Sequence, residues 1–126
     1  MNTALLSIGT NEDMEANLAF CHKLLDDNFN DITYSDTSFT VPYGAHYKNN
    51  FLNQLALIYT DKDLNKISLL LKSFEKQIGR TSSDKEKGIV KIDIDIVSWN
   101  DEIIKPNDFG RSYITDLLPS LKRKSL

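Results

Sequence analysis

The sequence has one cysteine, Cys21, so no disulfide can form within the chain. That cysteine and two histidines, His22 and His46, give no cluster at zinc-ligand spacing. No apolar run approaches the roughly 18 residues that a membrane-spanning helix needs. Basic residues are not in excess: 15 Lys and Arg stand against 18 Asp and Glu, for a net charge of −3. That balance speaks against general nucleic-acid or anionic-membrane binding. The first residues, MNTALLSIGT, lack the basic start and long apolar stretch of a secretory leader. Disorder is excluded as well, because 40% of the 126 residues are apolar and the net charge is small. What remains is a single globular domain over residues 1–126, expected in the cytoplasm.

Periodicity divides the chain into elements. Residues 3–8, TALLSI, are a short apolar run ended by Gly9 and read as a buried strand. Gly9-Thr10-Asn11-Glu12-Asp13 is a polar turn with good cap residues. Apolar residues at 14, 18, 21 and 25, with Phe20 and Leu24 as a second row, have helical spacing. Segment 29–41 mixes Phe29, Ile32, Tyr34, Phe39 and Val41 with Ser and Thr, as a strand does, until Pro42-Tyr43-Gly44 breaks it. After a polar loop, 51–60 is another strand. Apolar residues at 64, 67, 70, 71, 74 and 78 mark a second helix, with Gly79 as its C′ residue. RTSSDKEKG, 80–88, has no apolar residue and is expected to be a mobile charged loop. Residues 89–99 alternate, with Val90, Ile92, Ile94 and Ile96 on one face and Lys91, Asp93, Asp95 and Val97 on the other. A turn at Asn100-Asp101, a short strand at 102–104, a short helix within 108–121 and a frayed KRKSL tail complete the chain. This order predicts an α+β, ferredoxin-like βαββαβ fold. It is an antiparallel sheet with two helices on one face and a small C-terminal addition.

Asp93-Ile94-Asp95 is the sharpest chemical feature. Aspartate is depleted from strands, and two at i and i+2 share a face about 7 Å apart. A hard divalent cation relieves their repulsion and uses both oxygens, while a solvated outer face with Lys91 nearby is what the spacing alone favours. The basic members of the 80–91 stretch, Arg80, Lys85, Lys87 and Lys91, suit closure over a polyphosphate, although such loops are also simply solvated. Asn53 sits among apolar strand residues, and its amide fits either a flat heterocycle or nearby backbone. Gly9-Thr10-Asn11 lacks the glycines of a phosphate-binding loop, so capping suffices for it. His22 and His46 read as structural or surface residues, and Cys21 as core.

Several stretches together resemble the 6-hydroxymethyl-7,8-dihydropterin pyrophosphokinase family of folate synthesis. They are LLSIGTN at 5–11, TSFTVPYG at 37–44, FLNQLAL at 51–57, FEKQIGR at 74–80 and GIVKIDIDIVSWNDEII at 88–104. The resemblance implies transfer of pyrophosphate from ATP to the pterin hydroxymethyl group, with two Mg²⁺ ions. It also implies small-molecule partners only and a monomer. Asp93 and Asp95 match the metal ligands. Glu75, Arg80, Lys85, Lys87 and Arg111 fall on the nucleotide side, with Arg80 and Lys91 as the cations acting on the transferred group. Pro42, Tyr43, Asn53 and Tyr113 fall on the pterin side. The chain departs from the family where further arginines and a tryptophan are usual: Ser82, Lys87 and Val90 stand there. The Pro-His segment before the last pocket residues is also missing. Two rival readings follow. One is a paralogue that binds pterin or nucleotide with weak or no turnover. The other is a ferredoxin-like RNA- or protein-binding module, which the acidic charge and the Asp pair oppose.

Overall fold

The computed structural model describes residues 1–41, 49–105 and 112–124. Five strands form one sheet: β1 (Asn2–Thr10), β2 (Asp31–Thr40), β3 (Phe51–Thr60), β4 (Asp93–Trp99) and β5 (Glu102–Ile103). Their spatial order is β2-β3-β1-β4-β5, and every neighbouring pair is antiparallel. Helices α1 (Met14–Asn28) and α2 (Leu64–Ile78) make the two crossovers, as the ferredoxin-like pattern requires. The short α3 (Ser82–Glu86) and the longer α4 (Ser112–Lys124) complete the fold.

The alternation of β1 produces two cores. Ala4, Leu6 and Ile8 point to one face, where Ala56, Ile58, Ile94 and Ile96 join Cys21 and Leu25 of α1 and Ile67, Leu71 and Phe74 of α2. On the opposite face, Leu5, Leu55 and Val97 pack against Ile114, Leu117 and Leu121 of α4. The expected small addition is therefore a 13-residue helix that seals half of the second face, and it runs on to Lys124 where fraying was expected. A bulge in β4 makes this possible. Leu6 pairs with Ile96 but Leu5 pairs with Ser98, so Val97 is the extra residue.

The ends of the helices follow local chemistry, with one exception. Asp63 caps α2 by accepting from Lys66 N at 2.8 Å, and Gly79 closes it in the left-handed region at φ 115°. At α1 the expected side-chain cap is absent. Asp13 occupies the N-cap position with φ 43°, and the turn is held instead by Asn17, whose amide nitrogen donates to Glu12 O. His22 donates to Gln54 Oε1 and stacks on Tyr34, with ring centroids 4.0 Å apart. Burial, with the Glu75 charge adding to it, pushes the Cys21 thiol up to about 12, so it stays an inert core group.

The stretch expected as a mobile loop is built otherwise. Thr81 and Asp84 form a reciprocal capping box that starts α3, and Asp84 is buried. Thr81 N–H and the Lys91 ammonium hold the Asp84 carboxyl below the usual carboxylate range. Residues 89–92, expected as the start of the last strand, are not strand. Asn11 is buried and clamps them: its amide nitrogen donates to Gly88 O at 2.9 Å, and its carbonyl oxygen accepts from Val90 N. Asn11 N also donates to Val90 O, and Thr10 Oγ1 donates to Lys91 O. Polar composition does not preclude local structure here, because the capping box and the buried Asn11 amide meet part of the backbone's hydrogen-bonding needs.

Two expectations follow. Ile114→Ala should cost about 2–4 kcal/mol in urea unfolding, the range for emptying a packed core position; a peripheral helix would show a change below about 0.5 kcal/mol. Asn11→Ala should cost about 2 kcal/mol, since it strands buried backbone groups. It should also speed amide exchange at Val90 selectively over amides of the central strands.

Candidate functional site

The second face of the sheet is divided. Where α4 does not cover it, the register aligns polar residues across three strands. Gly9 of β1 lies between Asn53 of β3 and Asp93 of β4, and Ser7 lies opposite Asp95. Directly opposed residues share a face, so Asn53, Gly9 and Asp93 form a row about 10 Å long with nothing larger than hydrogen on its middle member. A Cβ on Gly9 would come within 3.5 Å of Asn53 Oδ1.

Asn53 is buried, and its amide nitrogen donates to Thr40 Oγ1 at 2.7 Å and to Ser38 O at 3.3 Å. Those bonds fix which way the amide points and set Oδ1 as the acceptor over Gly9. The two readings of Asn53 from sequence are therefore compatible: neighbouring residues hold its donors, and its oxygen is presented over the row.

Asp93 and Asp95 line a cleft of about 450 Å³ along the part of the β4 edge that β5 does not cover. Leu64, Leu71, Lys72 and Glu75 of α2 form one wall, and Ile104 and Lys105 close the other side. Glu75 Oε2 accepts from Ile94 N at 2.9 Å, which satisfies an outward amide of the strand edge. The same oxygen accepts from Arg80 Nη1 at 3.0 Å. Arg80 Nη1 also donates to Asp93 Oδ1 at 2.9 Å and to Ile92 O at 3.3 Å. Burial opposes the Arg80 charge, but the hydrogen bond to Asp93 and the charges of Asp93, Glu75 and Asp95 outweigh it, so the guanidinium pKa is raised.

Lys105 pairs with Asp95 at 3.2 Å. Burial, then the charge of Asp93 and a hydrogen bond to it, together raise the Asp95 carboxyl to about 6; Lys105 pulls the other way without prevailing. The repulsion between the carboxylates is thus only partly neutralised. Two hard oxygen donors on one face, one of them resisting ionisation, fit a divalent cation that completes its shell with water and phosphate. Among the described residues no third His, Cys, Asp or Glu joins them as a ligand group. That suits a metal held largely through substrate rather than in an all-protein cage.

The other residues singled out from sequence are placed as follows. Glu75 and Arg80 line the cleft with the Asp pair. Lys91 does not line it; its ammonium donates to Gly79 O at 2.9 Å and pairs with Asp84 at 3.3 Å, anchoring α3. Lys85 and Lys87 are exposed and also lie outside the cleft lining. Pro42, Tyr43 and Arg111 lie outside the described residues, as does His46, and only the backbone of Tyr113, in α4, is described. Sequence reasoning missed Lys72 and Lys105. For Lys105 the signal was available: continuing the hairpin register from Ser98–Ile103 brings residue 105 beside Ile96, next to Asp95.

Comparison with known proteins adds one firm match. The family profile described as 7,8-dihydro-6-hydroxymethylpterin-pyrophosphokinase (HPPK) matches residues 5–122. No curated protein matches the chain. Among solved structures, the C-terminal domain of the MgtC protein from Mycobacterium tuberculosis is similar with a TM-score of 0.41 and 13% identity, over 76% of this chain and 87% of that one. That likeness is too loose to bear on function.

A pH dependence follows from Asp95. Its folded-state value lies above the ordinary 3.8, so the folded protein holds this proton more tightly than the unfolded chain does. The resulting stability is complete below pH 3.8 and is lost as pH rises through about 6. In metal-free buffer, Asp95→Asn should therefore raise Tm by a few degrees near pH 8. The gain should shrink below about pH 4, as differential scanning calorimetry across that range would show.

Proposed function

The chain belongs to the 7,8-dihydro-6-hydroxymethylpterin-pyrophosphokinase family, and from that premise we propose that it transfers the β,γ-pyrophosphate of ATP to the hydroxymethyl group of 6-hydroxymethyl-7,8-dihydropterin. The observation that carries the reading is the row Asn53–Gly9–Asp93. It sets an oriented amide acceptor and a carboxylate suited to a metal on one face, with a bare glycine between them.

Asn53 Oδ1 accepts from the N–H edge of the pterin, and the bonds to Ser38 and Thr40 keep the amide from turning. Gly9 leaves room for the heterocycle to lie on the sheet. Pro42, Tyr43 and Tyr113 complete the pterin side in this reading. The triphosphate lies in the cleft beside Arg80 and Lys72. Asp93 and Asp95 would hold two Mg²⁺ ions, which when bound neutralise phosphate charge and align the reacting groups. The pterin hydroxyl oxygen attacks the β-phosphorus, the bond from that phosphorus to the α,β-bridging oxygen breaks, and AMP leaves with that oxygen. The hydroxyl proton passes to solvent. Glu75 keeps Arg80 aimed at this site, so the protein contributes mainly position and a preset field.

A second reading, binding with little turnover, has a specific observation in its favour. Ser82 and Val90 replace arginines, while Lys85, Lys87 and Lys91 do not line the cleft. Lysine also lacks the bidentate fork of arginine. Turnover decides between the two readings. With MgATP and the reduced pterin, wild type should release AMP. Asp93→Ala and Asp95→Ala should lower that rate at least about 10²-fold, as loss of a strong electrostatic stabiliser does. Both variants should stay folded and keep pterin affinity measured without nucleotide. Tight binding of both substrates without AMP release establishes the second reading instead.

A further inference from the structure

We propose that Thr40 sets substrate specificity: its hydroxyl donates to the ligand beside the Asn53 oxygen, so that the pair recognises a lactam edge, N–H next to C=O, and discriminates against the amidine edge of a 4-aminopteridine. This deepens the pterin reading above and rests on it.

The polarity of the pair follows from one backbone group. Ser38 O can only accept, so the Asn53 amide turns its nitrogen toward β2. Asn53 Nδ2 also donates to Thr40 Oγ1 at 2.7 Å. Both amide hydrogens are thereby used, and Oδ1 is the group that stands over Gly9. Asn53 is only 6% exposed, and among the described residues its oxygen has no partner. No buried side-chain polar atom among the described residues lacks a partner, so this oxygen reaches the surface.

Thr40 supplies the second group. A hydroxyl both donates and accepts. Here its oxygen takes Asn53 Nδ2, and its own hydrogen has no acceptor among the described residues. Thr40 is half-buried and stands diagonal to Asn53, since Ser38 pairs with Asn53 and Thr40 with Phe51. An acceptor oxygen and a free donor hydroxyl thus lie together at the Asn53 end of the polar row. A pterin offers the complement at N3–H and the C4 carbonyl. A 2,4-diaminopteridine reverses both: its N3 is an acceptor and its C4 carries a donor. The amide cannot turn to suit it, because that would set Oδ1 against Ser38 O. Discrimination therefore comes from the locked amide, and Thr40 adds affinity for the lactam that the amide admits.

The test is calorimetry on the full chain with Mg²⁺ and α,β-methylene ATP, which cannot donate pyrophosphate. It compares 6-hydroxymethylpterin with 2,4-diamino-6-hydroxymethylpteridine. Wild type should bind the pterin at least about tenfold tighter, the worth of about one net hydrogen bond. Thr40→Val should weaken the pterin more than the diamine and cut that preference at least about threefold. Thr40→Ser, which keeps the hydroxyl, should restore it. Affinity for the ATP analogue alone should be the same in Thr40→Val as in wild type, since Thr40 does not line the cleft. If Thr40→Val keeps the full preference, or loses the analogue as strongly as the pterin, or if wild type binds both pteridines equally, the inference is overturned while the pterin reading stands. If wild type binds neither pteridine, the pterin reading fails and the inference with it. Should Thr40→Val fold poorly, Thr40→Ala provides the same comparison.

Discussion

One carboxylate oxygen, Oε2 of Glu75, holds three parts of this molecule in register. It takes the outward amide of Ile94, which no strand pairs, and so docks α2 on the open edge of β4. It takes Arg80, and through Arg80 it reaches Asp93. An uncovered strand edge is usually a liability, because its free amides invite pairing with another chain. Here the same exposed edge serves as the wall of a cleft, and the residue that satisfies its backbone also orients the cation at its mouth. Stability and site geometry therefore rest on the same atom.

Much of the fold was legible because local and global signals agree. β3 and α2 match their sequence ranges closely, since alternation, the Asp63 cap and the Gly79 stop all point the same way. The Asp pair was legible for the same reason, as a polar interruption in an alternating strand. The segment after Gly79 was not. Its order depends on Asn11, roughly 80 residues earlier in sequence, and no local pattern announces that a turn residue is a buried clamp. The double use of Glu75 was hidden as well, because it depends on which edge of β4 stays uncovered. The helix at the C-terminal end was undervalued because its apolar residues match a face that exists only after the sheet has formed.

The division of the second sheet face explains how a small domain keeps an open site. Leu5, Leu55 and Val97 bury under α4, while Gly9, Asn53, Asp93 and Asp95 stand on the half beyond it. Both halves are served by the same three central strands, so the rigid part of the molecule runs directly beneath the polar row. Side chains mounted on strands in this way hold position better than side chains on loops.

The bulge at Val97 has an evolutionary consequence. Its side chain belongs to the core beneath α4, and its carbonyl carries the backbone of Ile104 and Lys105. Selection on the packing of that core thus acts, through one residue, on the placement of a cation at the cleft. Lineages that repack α4 should carry compensating changes near residue 105, and the two segments should drift as a pair rather than separately.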